Sequence, residues 1–114
     1  MPYLLIQTNK RIDTDQQADI LTEASHCVAE QLGKPESYVM VSLKHSEPMM
    51  FASSDAPLAY LELKSISLPE NSTAQISKAL CQLIHDRLSI DTSRIYIEFS
   101  SAERHMWGWN EATF

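Results

Sequence analysis

The sequence predicts an α+β protein, in which 114 residues form a four-stranded sheet carrying two helices on one face, in the order β-α-β-β-α-β. Three observations predict it. Two stretches place apolar residues at spacings of three and four, the period of a helix face. Four shorter stretches, rich in Leu, Ile, Val and Tyr, have strand length and partly alternate. A constant shift of 56 residues then lays the first half on the second. Leu4-Leu5-Ile6 falls on Tyr60-Leu61-Glu62, and Gln31-Leu32 through Val39, Val41 and Leu43 falls on Arg87-Leu88 through Ile95, Ile97 and Phe99. The helices align without a gap, so the repeat is one of polarity pattern more than of identity. Two amphipathic helices on one sheet face follow from it.

Tyr3 to Gln7 is a short apolar strand. Thr14 and Gln17 have the spacing of a capping box, after which Leu21, Ala24, Val28 and Leu32 share one helix face. Gly33 supplies the left-handed stop and Pro35 prevents continuation. Tyr38 to Leu43 alternates Val39, Val41 and Leu43 against Tyr38, Met40 and Ser42, which makes a strand with two different faces. His45 to Pro57 is a loop. Leu58 to Ile66 is the third strand. Ser72 and Gln75 repeat the capping-box spacing and open a helix to about Leu88, with Ile76, Leu80, Leu83 and Ile84 inward. Arg94 to Phe99 is the last long strand, setting Ile95, Ile97 and Phe99 opposite Tyr96 and Glu98.

The length fits one domain over residues 1–114. A chain of this size buries about two-thirds of its surface on folding, enough for a core without disulfide or metal staples. Nine Lys+Arg against fifteen Asp+Glu give a formal charge of −6. With no basic run, nucleic-acid and anionic-membrane binding are disfavoured. Two glycines, Gly33 and Gly108, leave no GxGxxG or Walker loop. No run approaches the length of a membrane span, and the N-terminal stretch reads as a strand rather than a signal peptide, so a cytoplasmic location is expected. A disulfide is feasible on count alone; two thiols of a cytosolic protein are the expected state of Cys27 and Cys81. The sheet face away from the helices would carry Tyr38, Met40, Tyr60 and Tyr96. Such a face predicts a closed homo-oligomer, against the alternative of amphipathic tyrosines simply wetted by solvent.

His26, His45, His85 and His105 show no metal-ligand spacing, no GxSxG places a serine for attack, and no metal or cofactor is expected. Position two is different. Methionine aminopeptidase is expected to remove Met1 ahead of the small residue Pro2, leaving a secondary amine at the start of a strand. The reference α-amino pKa is roughly 7.7–8.0, and burial or a nearby cation lowers it toward neutrality. A base of that kind suits proton abstraction beside a carbonyl. Many chains also begin Met-Pro without catalytic reason, so position alone does not decide.

The run Pro2-Tyr3-Leu4-Leu5-Ile6-Gln7-Thr8-Asn9, then Gly33-Lys34-Pro35 with Tyr38, Ser65-Ile66, Arg94-Ile95-Tyr96-Ile97 and Gly108-Trp109-Asn110 ending in Thr113-Phe114 together resemble the macrophage migration inhibitory factor family of the tautomerase superfamily. The resemblance implies a homotrimer that catalyses keto–enol tautomerisation of phenylpyruvate-type α-keto acids at subunit boundaries, without cofactor. By it, Pro2 is the general base and Lys34 holds the substrate carboxylate or polarises its keto oxygen. A helix-terminal cation answering the helix dipole is the other reading of Lys34. Ser65 and the backbone of Ile66 are implied in polar contacts, Tyr96 comes from the neighbouring subunit, and Trp109 and Phe114 wall an aromatic pocket. Three departures stand out. Glu98, on the strand face of Tyr96, replaces an asparagine of the mammalian members; it would accept from a substrate phenol, oppose a second anion and raise the Pro2 pKa. Trp107 replaces a smaller residue beside the pocket. Leu58-Ala59-Tyr60-Leu61 stands where those members have CxxC, so no redox function carries over. A cytokine-like ligand that binds a receptor, released without a signal peptide and with weak or vestigial activity, is the alternative function. Dehalogenation or decarboxylation on the same proline would lean on arginines, and none of Arg11, Arg87, Arg94 and Arg104 maps to that role.

Overall fold

Leu4, Ile6, Leu61 and Leu63 have no solvent exposure, and each pair is two residues apart, on the same side of its strand. The computed structural model describes residues 1–114 and places these side chains at the centre of a sheet of order β2-β1-β3-β4. The strands are β1 (Tyr3–Thr8), β2 (Met40–Lys44), β3 (Ala59–Ile66) and β4 (Ile95–Ala102). β1 pairs antiparallel with β3, and each of these inner strands carries a parallel outer partner, β2 on β1 and β4 on β3. Helices α1 (Thr14–Leu32) and α2 (Thr73–Leu88) make the parallel crossovers. They bury Ile20, Ala24 and Val28 of α1, and Ile76, Leu80, Ile84 and Leu88 of α2, against the sheet. Full burial of each such Ile, Val or Leu side chain stabilises by about 1.5–3 kcal/mol, which makes these two faces the main support of the fold. No helix is long and apolar enough to cross a membrane. Cys27 on α1 and Cys81 on α2 are free, half-buried thiols.

The predicted duplication holds at a shift of 56 residues for the helices and outer strands, but the inner strands align at 57, so Leu4 and Ile6 correspond to the buried Leu61 and Leu63 and not to Tyr60 and Glu62. α1 and α2 end at residues 56 apart, and each is closed by a left-handed residue, Gly33 at φ 62° and Ser89 at φ 56°. Each is followed by a 3-10 turn, Glu36–Tyr38 and Thr92–Arg94, that leads into the outer strand. A tight turn follows each outer strand as well. Phe51 and Ser54 bridge across Ala52 and Ser53, whose φ angles are 52° and 60°. Near the C-terminus β5 (Gly108–Trp109) pairs with β6 (Ala112–Thr113) across Asn110 and Glu111, at φ 52° and 63°. Two successive positive φ values give the twist that a two-residue hairpin needs.

Several expectations are corrected. Tyr38 is not on a strand: the 3-10 turn ends on it, and β2 begins two residues later. Neither capping box forms. Asp13 holds the N-cap position of α1, and the Gln17 amide donates to the Ile12 carbonyl at 2.8 Å instead. Ser72 does precede α2, but the 3-10 turn Glu70–Ser72 runs straight into the helix. Ser72 therefore has φ −111° and ψ 4°, not the extended backbone from which a hydroxyl reaches back to the first turn. Leu21, Leu32 and Leu83 are half-buried flanks, whereas Ile20 and Leu88 are fully inside. The sheet face away from the helices is also more polar than expected. Gln7, Ser42, Glu62, Lys64 and Glu98 alternate with the buried and half-buried positions of their strands, and the large exposed apolar side chains lie toward the ends, Tyr38, Met40, Met106 and Trp109 on one side and Met50 and Tyr96 on the other.

Candidate active site

Proline has no N–H for the ladder, so β1 starts at Tyr3 and Pro2 stands just outside it. Pro2 is buried, and its carbonyl accepts from the Met40 backbone N–H at 3.0 Å, which anchors it beside the start of β2. It lines a cavity of about 270 Å³ with Met1, Tyr38, Trp107, Trp109 and Phe114 among the walls. The aromatic side is one packed cluster. Trp109 stacks on Phe114 with centroids 5.2 Å apart, and Tyr38 meets both rings edge-on at 5.7 and 5.8 Å. These are favoured aromatic geometries. The β5–β6 hairpin and the Phe114 N–H bond to the Trp107 carbonyl hold the tail across the cavity mouth.

Lys34 is placed by the end of α1. The Gly33 N–H bonds to the Glu30 carbonyl and the Lys34 N–H to the Ala29 carbonyl at 3.0 Å, the paired closure that a left-handed glycine allows. From this fixed point the Lys34 ammonium reaches the end of β3, donating to Ser65 Oγ at 2.8 Å and to the Ile66 carbonyl. An ammonium has three N–H bonds, so one stays available to an incoming oxygen. Burial first, and the Arg104 charge second, hold the Lys34 pKa below the usual lysine range. Burial, and then the Lys34 charge, likewise lower the N-terminal amine, which here belongs to Met1. Lys34, Ser65 and Ile66 are therefore not walls of the Pro2 cavity, but the lysine's field reaches the amine inside it.

Pro2, Trp107, Trp109 and Phe114 come together in one cavity, and Lys34, Ser65 and Ile66 form one hydrogen-bonded group beside it. Tyr96 and Glu98 do not join them within the protomer. Tyr96 pairs through Tyr60 with Gln7, whereas Pro2 precedes Tyr3 at the other end of β1. From the strand spacings, Tyr96 lies about 13 Å farther along the sheet and about 10 Å across it. Its ring packs on Phe51 at 4.6 Å beside another, largely apolar cavity of about 460 Å³ that also includes Met49, Met50, Leu58 and Tyr60. Glu98 accepts from the Tyr60 hydroxyl at 2.8 Å, and the same oxygen is 3.0 Å from Glu62. The bond to Glu98, assisted by burial and by Glu62, pushes the Tyr60 pKa far above the usual phenol range. Sequence reading missed Tyr38 as a cavity wall, Arg104 as the cation near Lys34, and Tyr60 as the partner of Glu98. The last had no signal in the spacing: the shift of 56 residues lays Tyr60 on the core-facing Leu4, whereas the ladder sets it beside Tyr96 on the face of Glu98. No group of His, Cys, Asp or Glu side chains is gathered as a metal site.

The sheet of two β-α-β halves, with a buried proline before its first strand and a half-buried lysine beside it, defines a recognisable class of protomer. The family model for macrophage migration inhibitory factor matches residues 1–114. A macrophage migration inhibitory factor homolog of Brugia malayi is 39% identical over 116 residues, spanning 100% of this chain and 99% of that one. The crystal structure of a homologue from Prochlorococcus marinus superimposes with a TM-score of 0.93 at 40% identity, over 98% of each chain. The factor from Trichinella spiralis gives 0.90 at 30% identity, over 98% of this chain and 99% of that one. The chain belongs to the macrophage migration inhibitory factor family, within the tautomerase superfamily. Membership supports a tautomerase or cytokine-like role in general.

Proposed function

We propose that the protein is a cofactor-independent keto–enol tautomerase of phenylpyruvate-type α-keto acids, with Pro2 as general base once Met1 is removed. The observation that carries this reading is the position of Pro2, in an aromatic-walled cavity within reach of the Lys34 charge. Burial and that charge hold the Met1 amine below the ordinary range of an amino terminus, and the same two causes would act on the Pro2 amine once Met1 is removed. The amine takes a proton from the carbon beside the keto group, the released electron pair forms the carbon–carbon double bond, and charge moves to the keto oxygen. The free N–H of Lys34 stabilises that oxygen, which then takes up, directly or through water, the proton that Pro2 carries, and the free amine is restored. The Tyr38, Trp109 and Phe114 rings suit the substrate's aromatic ring.

The acting unit is the whole of residues 1–114 as one domain, in a homotrimer. Two apolar cavities lie toward opposite ends of the sheet, one with Pro2 and one with Tyr96. A head-to-tail contact that joins unlike ends forms a ring where the rotation between protomers closes, and it would carry Tyr96 and Glu98 of one protomer to the Pro2 site of the next. The accessible surface of 6784 Å² exceeds the roughly 6,300 Å² usual for a folded chain of this mass, in keeping with ends that await a partner. Light scattering at micromolar concentration should give three protomer masses, and a clean monomer of full activity contradicts the shared site. Tyr96→Ala should lower kcat/KM for phenylpyruvate by about 2- to 12-fold, the rate equivalent of an aromatic contact of 0.5–1.5 kcal/mol. Ultraviolet absorbance of the enol and keto forms reads the turnover, with Pro2→Gly as the control.

A further inference from the structure

We infer that Arg94 is a positioning residue for Tyr96, through the turn that follows β2. The inference rests on the proposed reading in which Tyr96 completes the neighbouring subunit's site. The Arg94 guanidinium donates to four backbone carbonyls of one segment: Phe51 at 3.2 Å, Ser54 at 3.1 Å, Ala56 at 3.0 Å and Pro57 at 3.0 Å. Its carbon also lies 5.3 Å from the centre of the Phe51 ring, in cation–π range. Phe51 in turn packs on Tyr96 at 4.6 Å. One side chain therefore ties residues 51–57 to the start of β4 and sets the ring against which Tyr96 rests.

The segment needs such a tie. Ala52 and Ser53 both have positive φ, without a glycine or asparagine to make that conformation easy. Residues held there persist when their surroundings over-determine them. Two backbone bonds between Phe51 and Ser54, at 2.9 and 3.0 Å, close the turn, and Arg94 gathers the outer carbonyls. The internal repeat gives the same assignment from the other half. At the shift of 56 residues Arg94 falls on Tyr38, the last residue of the equivalent 3-10 turn. Tyr38 packs against Trp109 of the C-terminal hairpin, as Arg94 packs over Phe51 of the earlier one. Each half thus ends its 3-10 turn in a residue that braces one hairpin beside one cavity; the second half uses a planar fork of donors where the first uses a ring. A lysine cannot substitute, because a single ammonium has neither the reach nor the number of donors for four carbonyls.

The test is a double-variant comparison on the assembled protein, read as kcat/KM for phenylpyruvate, with light scattering and circular dichroism on each sample. Arg94→Ala should fall to about the level of Tyr96→Ala, the double variant should fall no further, and Arg94→Lys should fall as far as Arg94→Ala. Millimolar guanidinium should restore part of the loss in Arg94→Ala and do nothing for Tyr96→Ala. Where Arg94→Ala does not fold, Arg94→Lys and its combination with Tyr96→Ala carry the same comparison. Losses that multiply in the double variant, or wild-type kinetics in Arg94→Lys, overturn the role of Arg94 while leaving the shared site intact. Full activity in Tyr96→Ala instead removes the shared-site reading itself, and this role with it.

Discussion

Protein that keeps Met1 is expected to turn over phenylpyruvate at background level, with activity rising in proportion to the processed fraction. The reason is covalent. While Met1 is attached, the Pro2 nitrogen is a tertiary amide with no basic lone pair near neutral pH. The amine that burial and Lys34 act upon is then that of Met1, one residue away from the position the chemistry needs, and Met1 itself lines the cavity with Pro2. Retention therefore removes the base and occupies space beside it. A positioned general base contributes about 10²–10⁴-fold, and the loss should lie in that range. Intact mass gives the processed fraction as loss of one methionine residue. Full activity from homogeneous, unprocessed protein would remove Pro2 as the base.

Lys34→Ala should lower kcat/KM by about 10- to 100-fold, as expected for one charge-assisted hydrogen bond to the developing oxyanion. The change has a second, independent signature. A nearby cation disfavours a protonated amine, as Lys34 does for that of Met1, and the same charge would lower the pKa of the Pro2 amine in processed protein. Its removal raises that pKa, and the acid limb of the kcat/KM profile should move to higher pH. Below the limb the variant then loses activity twice, from the missing N–H and from the smaller fraction of free base. Lys34→Arg keeps the charge, but its planar fork does not match the Ser65 hydroxyl and Ile66 carbonyl that now receive the ammonium. It should preserve the position of the limb better than the rate. An unmoved profile with unchanged kcat/KM would leave Lys34 only its place at the end of α1.

Much of this was legible because its causes are local. The 3.6-residue period around Ala24–Val28 and Leu80–Ile84 and the alternation in Ile95–Phe99 follow from which side chains meet the core. Gly33 reads as a left-handed stop wherever it occurs, and the stop fixes where Lys34 starts. The hairpins were not legible, since Ala52-Ser53 and Asn110-Glu111 lack the Asn-Gly or Asp-Gly of such turns. Their conformations are held from outside, by Arg94 in one case and by the stacking of Trp109 on Phe114 in the other. Tyr38 alternates correctly for a strand, yet Pro35 and the 3-10 turn take it off the sheet and into the aromatic cluster. The contact of Tyr60 with Glu98 depends on the register between β3 and β4, in which Tyr60 faces Tyr96 and Glu62 faces Glu98. Register is a property of the assembled sheet, and the spacing within either strand does not contain it.

The central claim is that the Pro2 amine is the base, and titration of that one nitrogen tests it most directly. Processed protein labelled with ¹⁵N at proline would be followed by the Pro2 amine shift, alongside kcat/KM over the same pH range. The account predicts an amine pKa below the roughly 7.7–8.0 of an unperturbed terminus, coincident with the acid limb of kcat/KM, both moving upward together in Lys34→Ala. An amine that titrates at the ordinary value while kcat/KM follows a different pKa would contradict it.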